Sequence, residues 1–90
     1  MQRELRIAGL LYTVNTLDIG QTVTFPAAGL IHASAIRRSS KNNYEVYLIM
    51  DGRAYAIADG SMSAATERLQ KEYDDFGSLL GYVNRKEIKR

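Results

Sequence analysis

A chain of 90 residues is one domain, since domains run from about 50 to 250 residues, and at this size the core is thin. Hydrophobic residues at 46% and charged residues at 24% make it globular rather than disordered, and the lack of cysteine excludes a disulfide framework and thiolate chemistry. Net charge is +2, but segment 85–90 holds Arg85, Lys86, Lys89 and Arg90 against Glu87 alone, so the rest is near neutral.

No apolar stretch approaches the roughly 20 residues that span a bilayer, and residues 1–6 lack the apolar core of a secretory signal. No membrane association is expected, and the expected compartment is the cytoplasm. No linker, repeat or low-complexity run interrupts the chain, so residues 1–84 read as one α+β domain and residues 85–90 as a basic tail.

Residues 5–16 are rich in β-branched and apolar side chains. Leu5 and Ile7 alternate in one phase and Leu10, Tyr12 and Val14 in the other; the slip at Gly9 reads as a β-bulge. The run Asp18-Ile19-Gly20-Gln21 turns the chain into a short strand, Thr22 to Phe25, which Pro26 ends. Residues 30–37 fit a strand or a helix. The strand reading is preferred, because Gly29 interrupts a helix start and residues 38–43 are turn-forming.

The strongest local signal is Asp51-Gly52 between two β-rich runs, the preferred dipeptide of a type I′ hairpin. Pairing about it sets Met50 opposite Arg53, Leu48 opposite Tyr55 and Val46 opposite Ile57. One face then carries Val46, Leu48, Met50, Tyr55 and Ile57, the expected core. The other carries Tyr47, Ile49, Ala54, Ala56 and Ala58, with Glu45 its only charge.

From Ser61 the period changes. Met62, Ala65, Leu69, Tyr73 and Phe76 recur at three and four residues, an amphipathic helix with Ser61 or Ser63 as N-cap and Glu67–Lys71 as an i,i+4 pair. Gly77 reads as a left-handed stop, followed by a short helical turn at 78–83. The whole predicts a mostly antiparallel sheet of four to five strands, a meander, with one main C-terminal helix on one face.

Catalytic and ligand-binding signals are sparse. His32, the single histidine, has no carboxylate at ligand spacing and no Gly-x-Ser-x-Gly elbow accompanies it. Asp74-Asp75 reads as a solvated helix end. No phosphate-binding glycine loop occurs. No catalytic residue, metal or cofactor is expected; an enzyme centred on His32 is the third-ranked reading.

Two surfaces remain. Tyr47, Ile49, Ala54, Ala56 and Ala58 form a flat apolar face, expected to meet a protein or nucleoprotein partner or a second copy as a homodimer. Arg37, Arg38, Lys41 and Arg53, with Arg85, Lys86, Lys89 and Arg90, would serve a nucleic-acid-binding or transcription-regulating module if they converged. In size, missing catalytic motifs and sheet-plus-helix plan, the chain is similar in style to small accessory proteins of phages and mobile elements, including anti-CRISPR and other counter-defence inhibitors. The leading expectation is a non-catalytic binding protein acting by occupying a surface of a larger protein or nucleoprotein.

Overall fold

Two dipeptides with glycine second reverse the chain. In a computed structural model, which describes residues 2–77 and only the backbone at Ala58 and Asp59, Asp51 and Gly52 have φ of 56° and 70°. Both central residues are therefore left-handed, as a type I′ turn requires. Ala8 and Gly9, at φ 51° and 81°, make a second such turn. It joins β1 (Gln2–Ile7) to β2 (Leu10–Asn15), with Ile7 opposite Leu10 and Leu5 opposite Tyr12. The expected bulge at Gly9 is thus a chain reversal. A two-residue turn shifts the alternation by the same parity as a single inserted residue, so one signal fits both.

Four further strands form an antiparallel meander: β3 (Thr22–Phe25), β4 (Ile31–Ser40), β5 (Asn43–Met50) and β6 (Arg53–Gly60), in that spatial order. There are thus six strands in two sheets rather than four or five in one. Residues 30–37 fall in strand β4, apart from Leu30. That strand continues through Arg38 to Ser40 before reversing at Lys41-Asn42, so the expected loop contracts to a tight turn. Asp18 to Gln21 is a turn as expected, closed by the Gln21 amide on the Asp18 carbonyl at 2.9 Å and by the Asp18 amide on Gln21 Oε1 at 2.9 Å.

The β5–β6 register matches expectation near the turn, with Met50 opposite Arg53 and Leu48 opposite Tyr55. It then slips. Tyr47 pairs with Ala56 but Val46 with Ala58, leaving Ile57 as the extra residue of a bulge rather than the partner of Val46. Burial also falls off toward the tip. Met50 and Ile57 are half-buried, and Tyr55, expected in the core, is exposed.

Helix α1 (Met62–Phe76) starts where Ser61 Oγ accepts the Ala64 amide at 3.1 Å, satisfying one of the amide groups a helix start leaves over. Met62, Ala65, Leu69 and Tyr73 are buried as the spacing predicts, with Phe76 packed at the margin. The i,i+4 ion pair on its surface is Arg68–Glu72 at 3.2 Å rather than Glu67–Lys71. Gly77 ends the helix with its amide on the Tyr73 carbonyl, but at φ −80° it is not left-handed. Its lack of a side chain matters sterically instead, because a Cβ would lie 2.4 Å from the Tyr73 carbonyl oxygen. The helical turn expected at 78–83 and the tail at 85–90 lie outside the described residues.

The helix joins the two sheets. It packs on β1 and on β4, β5 and β6, gathering Leu5, Ile7 and Val14 of the hairpin with Phe25, Ile31, Ile36, Tyr44, Val46 and Leu48 of the meander into one core. Two of its side chains fix it by hydrogen bonds. The Gln70 amide accepts from the Arg6 amide at 2.7 Å and donates to the Arg6 carbonyl at 2.9 Å, pairing with β1 as a strand residue would. The Tyr73 hydroxyl donates to the Pro26 carbonyl at 2.8 Å and lies 2.7 Å from Ser34 Oγ on β4. No helix among the described residues is long and apolar enough to cross a membrane.

Leu69, fully buried at the helix centre, sets the first prediction. Leu69→Ala is expected to lower unfolding free energy by about 2–5 kcal/mol, read from urea midpoints. A second concerns alkaline pH. Burial raises the Tyr73 phenol above its ordinary value, partly opposed by the Ser34 hydrogen bond. The folded state therefore holds this proton longer than the unfolded chain, so the stabilisation is complete below about pH 10 and is lost as pH rises through the folded value. The urea midpoint of the wild type should fall above about pH 10, and that of Tyr73→Phe should fall less.

Candidate interaction surface

Because side chains alternate across a strand, the strands that send Val46, Leu48, Ile36 and Phe25 inward present a second set outward. Cross-strand pairing arranges that set in rows. Thr22, Arg37 and Glu45 form the first row across β3, β4 and β5. Thr24, Ala35, Tyr47 and Ala56 form the second across all four strands, and Ala33, Ile49 and Ala54 the third. No described helix or strand packs over this face. Tyr47 is 37% and Ile49 42% exposed, and Ala54 and Ala56 are exposed beside them.

The relief of the face follows from residue size. Tyr47 and Ile49 stand as a ridge along β5, with alanines on both neighbouring strands. On the β4 side a shallow apolar depression is lined by Thr24, Ala33, Ala35, Tyr47 and Ile49. At the polar end, Arg37 Nη1 meets Glu45 Oε1 at 3.0 Å, and the Tyr47 hydroxyl donates to the same oxygen at 2.8 Å. That hydrogen bond to a carboxylate is the main reason the Tyr47 phenol is raised above its ordinary value. It also ties the hydroxyl end of the ring to Glu45, two residues back on the same strand.

The structure therefore brings Tyr47, Ile49, Ala54 and Ala56 together on one uncovered face. It does not bring Ala58 into the series, because the bulge at Ile57 sets its backbone opposite Val46, out of step with the Tyr47–Ala56 and Ile49–Ala54 pairs. Thr24, Ala33 and Ala35 belong to the face and escape a reading centred on the 44–59 hairpin. Their signal was available in the odd spacing of the inward residues Ile31 and Ile36, which a bulge at His32 reconciles. His32 itself is exposed, and no group of three or more His, Cys, Asp or Glu comes together among the described residues.

Of the candidate basic residues, Arg37, Arg38 and Lys41 lie at one end of the β4–β5 hairpin and Arg53 at the other. Arg38, on β4, is committed to backbone carbonyls of the β4–β5 turn and of the segment before β3. Its guanidinium donates to the carbonyls of Leu17 at 2.7 Å, Lys41 at 2.6 Å and Ser40 at 3.3 Å, and lies 5.5 Å from the Tyr44 ring centre. Arg37 is paired with Glu45. Lys41 and Arg53 are exposed at opposite ends of β5, roughly 25 Å apart at about 3.3 Å per residue. Arg85, Lys86, Lys89 and Arg90 lie outside the described residues.

Two other surface features stand out. The β1–β2 tip exposes Ala8, Gly9, Leu10 and Leu11 in succession. A polar groove between β1 and α1 is lined by Arg3, Glu4, Thr66, Glu67, Gln70, Lys71 and Asp74, charges of both signs. Compared with models of protein families, with curated proteins and with solved structures, the chain shows no match.

If Arg38 is committed to carbonyls, its removal should be felt in stability. Arg38→Ala is expected to cost about 1–3 kcal/mol of unfolding free energy, as for lost charged hydrogen bonds. Arg53→Ala should stay within about 0.5 kcal/mol. Denaturant titrations of the two variants check the contrast.

Proposed function

We propose that the chain is a non-catalytic binding protein whose working surface is the outer face of its four-stranded sheet, acting by occupying the surface of a protein partner. The observation that carries this reading is a large side-chain ridge, Tyr47 and Ile49, left exposed at the centre of a sheet whose opposite face holds the helix. A lone exposed apolar residue would mean little. Here the apolar positions are contiguous over three strands, with polar Thr22, Arg37 and Glu45 along one end.

An apolar centre beside a polar rim is the ordinary anatomy of an interface, and tyrosine is among the residues enriched there. The sheet supplies rigidity, and the Tyr47–Glu45 hydrogen bond sets the ring before a partner arrives, which lowers the entropy lost on binding. Occupying a surface needs no nucleophile, metal or general base.

A photo-crosslinking amino acid at position 47, tested in the source cell, checks the reading. It should give a discrete crosslinked protein product that Ala56→Arg abolishes, while the same probe at Lys71, exposed on the helix, should give none. Equal products from both positions, or none from position 47, would overturn it.

A further inference from the structure

Resting on that reading of the outer face, we infer that its partner is a second copy of this chain, stacked sheet to sheet about a two-fold axis parallel to the strands and passing between β4 and β5. The face is complementary to its own image under that operation. Such an axis keeps position along the strands and exchanges β4 with β5 and β3 with β6. Each cross-strand pair on the face is therefore laid over its own reverse.

Three successive rows then match. Arg37 pairs with Glu45, Ala35 with Tyr47 and Ala33 with Ile49 in the register of β4 and β5. Under the two-fold, Tyr47 falls on the second copy's Ala35, Ile49 on its Ala33 and Arg37 on its Glu45. Large meets small twice, and cation meets anion. Stacked sheets lie about 10 Å apart, a gap that one large and one small side chain fill. The depression lined by Thr24, Ala33 and Ala35 receives the opposing Tyr47, and Thr24 itself lies over Ala56 of the second copy, its counterpart in the same row.

The charges favour the same axis. Arg37 and Glu45 already form a 3.0 Å pair within the chain. The two-fold adds a second such pair, giving an alternating square in which each carboxylate sits between two guanidinium groups. An axis across the strands would instead stack β5 on β5, setting ridge against ridge, so the arrangement has one orientation.

The scale indicates a weak dimer. Four strands at about 4.8 Å and three rows at about 6.7 Å give a footprint near 20 by 20 Å on each copy. The total buried area is then on the order of 1,000 Å², the lower end for specific interfaces. Association should therefore be concentration-dependent.

Sedimentation velocity from about 5 to 500 µM suits an interface of that size. The wild type should pass from monomer to dimer. Arg37→Glu and Glu45→Arg should each weaken self-association tenfold or more, because each places two like-charge contacts across the axis. An equimolar mixture of the two variants should regain the dimer, since every contact across the axis is then between opposite charges. That recovery would itself show that both variants are folded. Adding Ala35→Arg to either should abolish it, separating the docked geometry from general attraction between oppositely charged chains. A wild type that stays monomeric, or a mixture no better than its components, would overturn the proposal. If position 47 then still crosslinks to a different protein, the binding-protein reading stands without the dimer; if it crosslinks to nothing, both fall.

Discussion

One helix can cover only one face of a sheet, and this molecule has one described helix for a four-stranded meander. The large side chains of β4 and β5 are sorted accordingly, with Ile31, Ile36, Val46 and Leu48 turned toward Leu69 and Tyr73. The opposite face is reduced largely to alanine and threonine, which limits how much apolar area meets water. Tyr47 and Ile49 depart from that economy of size, and they stand side by side on a central strand. The hairpin β1–β2 could have served as a second cover. It is held instead on the helix, through Gln70 and the Arg6 backbone.

The same sorting governs the charges. Of the eight basic residues among those described, Arg37, Arg38 and Arg68 are tied to local structure rather than displayed. Arg38 gathers three carbonyls at the end of the β4–β5 hairpin, and Arg37 lies against Glu45. A carbonyl-bound guanidinium keeps its charge but has fewer donors left for a phosphate, since its five N–H groups are fixed in direction. At Arg37 and Arg38, charge therefore acts over short range, holding local structure.

How much of this was legible in the sequence depended on whether the signal was local. Asp51-Gly52 announces its turn because both residues tolerate positive φ, and the 3.6-residue period from Met62 to Phe76 announces the helix. The outer face was visible as far as Tyr47, Ile49, Ala54 and Ala56, which follow from counting back from that turn. Register beyond a bulge was not visible, because an inserted residue leaves composition and propensity unchanged. Ala58 was misplaced for that reason, whereas Ala33 and Ala35 lie on β4, outside the 44–59 hairpin, and were marked only by the odd spacing of Ile31 and Ile36. Arg38 to Ser40 looked like a loop because polar residues break strand patterns, yet the edge of a hairpin tolerates them once Asn43 closes the pairing at Ser40.

Ala8 carries a consequence of a different kind. It sits at φ 51°, where an L-residue with a Cβ loses about 1–2 kcal/mol relative to its usual conformations, while asparagine or glycine loses less. At this turn the chain lies short of its stability optimum, and its side chain is exposed, so no packing of Ala8 itself offsets the strain. A domain of this size has a thin margin against unfolding. A single substitution at one exposed turn residue is thus a mutational reserve, able to absorb the loss from another change elsewhere in the molecule.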